Sequence, residues 1–219
     1  MRVMTVMTLS VALAVLGASP LFAVTTTMTF DDPATISGPS SGALLDGTYF
    51  NDSLGDTANV NVTNRTVDLF GDSSTHDGRI RHWSSGYSDL DHIAYAAGNG
   101  KVGELKFTVL PGYQITFDSF DAGSLAAPGL AGTFKIFDGN WNEHWSSTAT
   151  ILNASHASFA PGITLTGTAY FQWGTDWNVG IDNFTYSVAA VSSVPLPAAL
   201  PLLLTAFGML GLVGRRRHR

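Results

Sequence analysis

The sequence predicts an all-β protein: one antiparallel β-sandwich of jelly-roll type, with an N-terminal signal peptide and one C-terminal transmembrane helix. Three observations predict it. Short stretches with apolar residues at alternate positions recur through the middle of the chain, separated by clusters of Gly, Pro, Asn, Asp and Ser. Helix formers are scarce there, with Glu only at 104 and 143 and Lys only at 101, 106 and 135. Both ends, by contrast, are long apolar runs without acidic residues. A β-barrel is the alternative way to close the same strands. A transmembrane barrel is disfavoured by strands of uneven length and no paired aromatic girdles. No internal repeat points to a propeller or β-helix.

Residues 1–23, MRVMTVMTLSVALAVLGASPLFA, have one early cation, Arg2, then an uncharged apolar stretch closing on small residues. That is the layout of a secretory signal peptide, to be cut by signal peptidase after Ala23 or after Ala18, and a retained membrane helix is the alternative. The sandwich is assigned to residues 24–188. Its strands begin near TFDD (29–32) and continue in NVNVTNRTVDLF near residue 60. In ELKFTVL (104–110), Leu105, Phe107 and Val109 share a face, and in YQITF (113–117), Tyr113, Ile115 and Phe117 do. Pro111-Gly112 lies between, so this pair predicts a β-hairpin. GTFKIF near 134, TATIL near 150, ITLTGT near 165 and AYFQW near 171 follow. VGIDNFTYSV from Val179 closes the domain, and its apolar phase slips between Ile181 and Phe184, which predicts a bulge at Asp182-Asn183. The small residues of 189–194 read as a linker.

The tail, 195–219, has its own logic. Leu196 to Gly214 are nineteen residues without a charge, about 28 Å of helix at 1.5 Å per residue and close to a bilayer's hydrocarbon thickness. Pro197 and Pro201 place the start of regular helix near Leu202. Arg215, Arg216, Arg217 and Arg219 follow, and positive charge beside a span stays on the cytoplasmic side, so the domain is expected outside.

Proline motif, apolar span and arginine cluster, on a chain with a signal peptide, resemble the PEP-CTERM sorting signal of Gram-negative bacteria. Val194, Pro195, Leu196 and Pro197 are similar to its Val-Pro-Leu-Pro variant, departing from the name-giving pattern at Leu196, where Glu is commonest. The resemblance implies transient insertion in the inner membrane, cutting near the proline motif by an exosortase, a membrane cysteine protease, and release to the cell surface or an extracellular polysaccharide layer. TFDD and GIDNFTYS (180–187) further resemble the end strands of sandwich domains found in such surface proteins, which implies that the first and last strands lie close together.

Composition narrows the chemistry. Residues 24–193 hold all seventeen acidic residues but only six of the eleven Lys and Arg, a net charge of −11. Such a surface repels phosphate backbones, so nucleic acid is not an expected partner. The chain has no cysteine, which excludes disulfides, thiolate metal sites and cysteine nucleophiles. GPSSG (38–42) matches the nucleophile elbow Gly-x-Ser-x-Gly around Ser40, but no helix-forming stretch follows it, and the elbow needs one. The histidines form no i, i+2 or i, i+4 pair for zinc. Calcium takes carboxylate and backbone oxygens, and its candidates are Asp31, Asp32 and Asp182 through the end strands, or the acidic loop DSSTHDG (72–78). Against this, Asp in turns commonly bonds its own backbone.

Tryptophans give the remaining hint. DGNWNEHWSS places Trp141, His144 and Trp145 in a polar, turn-rich stretch, and WGTDW adds Trp177. Sugar rings stack on flat aromatic faces while neighbouring polar groups bind their hydroxyls, whereas a packed tryptophan merely fills a core. The expected function is therefore non-enzymatic adhesion to a glycan, or a structural role, in an extracellular polysaccharide layer. The alternative is a secreted hydrolase of matrix polysaccharide, which would need two carboxylates facing each other across a groove.

Overall fold

The computed structural model describes residues 23–32, 36–37, 46–73, 78–126, 128–174 and 176–191. The expected signal peptide, apart from Ala23, and the sorting tail lie outside the described residues, as do 38–42 and most of the acidic loop 72–78. Among the described residues there is no helix, and so none long and apolar enough to cross a membrane.

The described residues form strands β1 (Val24–Met28), β2 (Ile36–Ser37), β3 (Tyr49–Phe50), β4 (Val60–Val67), β5 (Arg81–Trp83), β6 (Ile93–Tyr95) and β7 (Val102–Val109). They continue as β8 (Tyr113–Ser124), β9 (Gly129–Asp138), β10 (Glu143–Leu152), β11 (Ala157–Phe159), β12 (Ile163–Thr166), β13 (Thr168–Gly174) and β14 (Val179–Ala190). Two antiparallel sheets result. The larger runs β11-β8-β14-β6-β5-β3-β2, with β1 on β14 and β12 on β8, and the smaller runs β10-β9-β13-β7-β4.

Alternation sets which residues meet between the sheets. In β7, Leu105, Phe107 and Val109 face inward, and in β13 Ala169, Phe171 and Trp173 do, all at most 4 % exposed. Phe107 meets Phe117 of the other sheet edge-to-face at 5.1 Å and stacks on Phe184 at 5.8 Å. Phe120 of β8 meets Phe134 at 5.1 Å and Phe171 at 4.9 Å. One continuous apolar cluster thus joins the two sheets.

The expected hairpin over residues 104–117 is not formed. Its two strands exist as β7 and β8, and Tyr113 N–H donates to the Leu110 carbonyl at 3.1 Å across the turn, but β7 belongs to the smaller sheet and β8 to the larger. The chain crosses the sandwich at this point. Apolar residues in step on both strands are satisfied as well by two sheets facing one core as by two strands lying side by side. The β9–β10 pair is a hairpin instead, in register from Leu152 opposite Gly129 to Trp145 opposite Ile136.

Two other expectations are met. The register of β14 against β8 slips between Asp182 and Thr185, with Asn183 at φ 50°. First and last strands pair, Val24 opposite Val188 and Met28 opposite Phe184, but the first strand is Val24–Met28, and TFDD (29–32), expected to open the sandwich, follows it outside any strand.

Candidate functional site

The β9–β10 turn is built by one carboxylate. Asp138 accepts hydrogen bonds from Asn140 N–H at 2.8 Å, Asn142 N–H at 3.0 Å and Asn142 Nδ2 at 2.8 Å, with His144 Nε2 at 3.1 Å. Aspartate closing a turn on its own backbone suits the sequence Asp-Gly-Asn. The Asn142 amide first, and then His144, holds the Asp138 carboxyl far below the usual carboxylate range. The turn carries Trp141 at φ 64°, an uncommon conformation for a bulky residue. Its ring lies on that of Tyr170, centroids 4.0 Å apart and planes 17° from parallel, with Phe137 tilted against it at 5.8 Å.

Beyond the turn the register slips between Glu143 and Trp145, inserting His144 as an extra residue. His144, Asp138 and Asn140 line an open cleft of about 540 Å³ whose far wall is Gln114 of β8 with Thr164 and Thr166 of β12. The cleft therefore sits at one end of the sandwich, between the hairpin and the larger sheet. Its lining offers carboxylate, amide, imidazole and hydroxyl groups, donors and acceptors together.

The outer face of the smaller sheet continues from Trp141. Strand register aligns Thr63, Lys106, Tyr170 and Phe137 in one row across β4, β7, β13 and β9, and Arg65, Glu104, Gln172 and Lys135 in the next. Lys106 Nζ lies 6.0 Å from the Tyr170 ring centroid. In the second row Glu104, fully buried, accepts Arg65 Nε at 2.5 Å and Gln172 Nε2 at 2.7 Å. Gly71 closes over Gln172, donating its N–H to Oε1 at 2.7 Å and accepting Nε2 at 3.0 Å. Lys135 pairs with Glu143 at 2.7 Å, which lowers the Glu143 carboxyl.

The four aromatic and imidazole candidates do not form one surface. Trp141 and His144 share the hairpin. Trp145, displaced by the extra residue, sits opposite the inward-facing Ile136 and packs edge-on against Phe120 at 6.2 Å and Phe159 at 6.4 Å. Trp177 packs on a separate cluster of Tyr87, Leu90, Ile93 and Tyr95, and its carbonyl accepts the Tyr87 hydroxyl. Sequence reasoning missed Tyr170, Lys106 and Asp138. Strict alternation in β13, with Ala169, Phe171 and Trp173 inward, did point Tyr170 outward.

The acidic candidates lie at the β14 bulge. Asp182 is 6 % exposed and accepts Asn183 N–H at 2.7 Å. Burial pushes its carboxyl up to about 7, and the charges of Asp121, Asp31 and Asp91 push the same way. Asp31 accepts the Thr29 hydroxyl, and Asp32 is exposed. Among the described residues no group of three or more His, Asp or Glu side chains is arranged to hold a metal ion.

No protein-family model and no curated protein matches the chain. Solved structures do. One described as "CBM4 structure and function" has 17% identity and a TM-score of 0.32, covering 68% of this chain and 99% of its own. The xylan-binding module CBM15 has 14% identity and a TM-score of 0.33, covering 62% and 99%. A CBM51 from Clostridium perfringens GH95, in complex with methyl-galactose, has 11% identity and a TM-score of 0.28, covering 56% and 91%. Scores at this level carry no functional argument.

Proposed function

We propose that this chain is an exported, non-catalytic glycan-binding protein whose jelly-roll-type sandwich holds a sugar at the β9–β10 hairpin. The observation that carries the reading is the Trp141–Tyr170 stack. Trp141 lies flat on Tyr170 at the outer face of the sheet, whereas the equally half-buried Trp145 packs edge-on against the core phenylalanines Phe120 and Phe159, so of the two only Trp141 is placed as a platform. Asp138, Asn140 and His144 of the same hairpin line the cleft on its other side and offer groups for the hydroxyls of a longer glycan, and the bonds to Asp138 fix the turn before any ligand arrives, which limits the ordering cost of binding.

Both glutamates support the non-catalytic reading. Glu104 is buried and engaged by Arg65 and Gln172, and Glu143 is held ionised by Lys135. Both are engaged in ion pairs, and neither lines the cleft, where a pair of catalytic carboxylates would have to stand. In the same proposal signal peptidase removes residues 1–23, and the tail parks the domain in the inner membrane. An exosortase-type protease then cuts near Val194–Pro197, and the domain works at the cell surface or in extracellular polysaccharide. Calcium has no role in this reading.

The test is a glycan array with and without EDTA, followed by affinity measurement on the hits. Trp141→Ala is expected to weaken binding at least about tenfold while leaving the far-ultraviolet spectrum unchanged, and EDTA to change nothing. Retention of no glycan, full affinity in Trp141→Ala, or release of new reducing ends from a polymer would each sink the proposal.

A further inference from the structure

We propose that the glycan is acidic, a uronate-containing polysaccharide whose carboxylate is met by Lys106. The inference rests on the glycan-binding reading and adds the class of sugar. Residues 24–193 have only six cations against seventeen acidic residues. Among these cations Arg65 pairs with Glu104, Arg79 with Asp52, Lys101 with Asp68 and Lys135 with Glu143, and Arg81 bonds the Tyr49 hydroxyl. Arg81 and Lys106 are the two without a carboxylate within 4.0 Å among the described residues, and Lys106 alone of the six has neither an ion pair nor a hydrogen bond there.

Its place in the sheet gives this meaning. Lys106 stands directly opposite Tyr170 in the β7–β13 register, beside the ring that carries Trp141. Arg65 is its diagonal neighbour on β4 and gives Glu104 only its Nε. Tyr170 joins Trp141 to Lys106, with Trp141 stacked on its ring and the ammonium 6.0 Å from its centroid, so a glycan running from Trp141 across Tyr170 towards β7 would bring a carboxylate into the field of the ammonium. The domain as a whole, at −11, repels an anionic polymer, so any preference for one must be local. Salt is a poor probe for that reason, because it screens the attraction and the repulsion together.

Masking the charge on one polymer backbone is the clean comparison. Affinities are measured for polygalacturonate and its full methyl ester, for alginate and its propylene glycol ester, and for neutral xylan and cellulose. Wild type is expected to bind each acid about fivefold tighter than its ester, the upper range of a surface ion pair. The acid-to-ester ratio should fall to about one in Lys106→Gln and return in Lys106→Arg. A wild-type ratio of one or less, or a ratio that survives in Lys106→Gln, overturns the acidic assignment and leaves glycan binding standing on the neutral polymers. Binding to none of the six overturns both.

Discussion

Asp182 stands where the β14 ladder against β8 first slips, and its carboxyl is held largely out of water. Its pKa rises from 3.8 to about 7 on folding, so between those values the folded domain keeps a proton that the unfolded chain has released. Stability from this group is greatest below about pH 4, falls as pH climbs towards 7, and is level beyond. Asp138 acts in the opposite sense, since its lowered pKa strengthens the turn above the ordinary carboxylate range and weakens it on acidification. In Asp182→Asn, whose amide oxygen still accepts Asn183 N–H, the urea midpoint should rise at pH 7.5 and change little at pH 4.5. An equal shift at both values would refute burial as the cause. At this scale the sequence showed residue types but not their surroundings. Trp141 and Trp145 stand in the same polar stretch, and only the inserted His144 decides that one lies on the sheet's outer face and the other packs inward. Lys106 drew no notice, because a lone lysine in a strand looks like any solvated charge until its neighbours are known.

Elements were legible where alternation was clear: four-residue β12 could be read, while the polar first half of ten-residue β10 looked like turn. The alternating runs of β4, β7, β8, β9, β13 and β14 could be read directly, whereas β5, β6 and β11 have three residues each, too few for a period of two to show. Partners could not be read at all, and the missing β7–β8 hairpin shows why: a face is written in the sequence, a neighbour is not. Close packing between paired strands gives a prediction here. Gly103 of β7 lies opposite Trp173 of β13, and a methyl group on it would meet the indole ring at 2.5 Å. Gly103→Ala must push that ring into a core already filled by Phe171, at a cost of about 1–3 kcal/mol. Thr108→Ala, at an exposed position of the same strand, should stay within about 0.5 kcal/mol of wild type. Equal costs by chemical denaturation would contradict this packing.

The whole domain hangs on β14. It pairs with β8 along one edge, and its other edge is shared between β6 and β1. Because a single apolar cluster spans both sheets, the domain should unfold in one transition, with tryptophan fluorescence and far-ultraviolet circular dichroism superimposing. A chain lacking residues 23–28 loses the β1 ladder and the buried Met28 together, and its midpoint should fall well below that of wild type. An unchanged midpoint would mean that β1 is an appendage. Fold class was visible in the sequence because turn spacing and alternation are properties of the entire chain, while strand order depends on contacts between distant segments. The same β1–β14 pairing has an outcome for how the molecule is aimed. Val24 lies across from Val188, and Ala189 faces Gln114, which lines the cleft, so the domain enters and leaves at its ligand-facing end. In the proposed sorting scheme the tether would leave from this end, so a short one would shade the proposed sugar platform and cutting it would unveil the platform, and the moment of cutting would then govern when the protein can grip as well as where it goes.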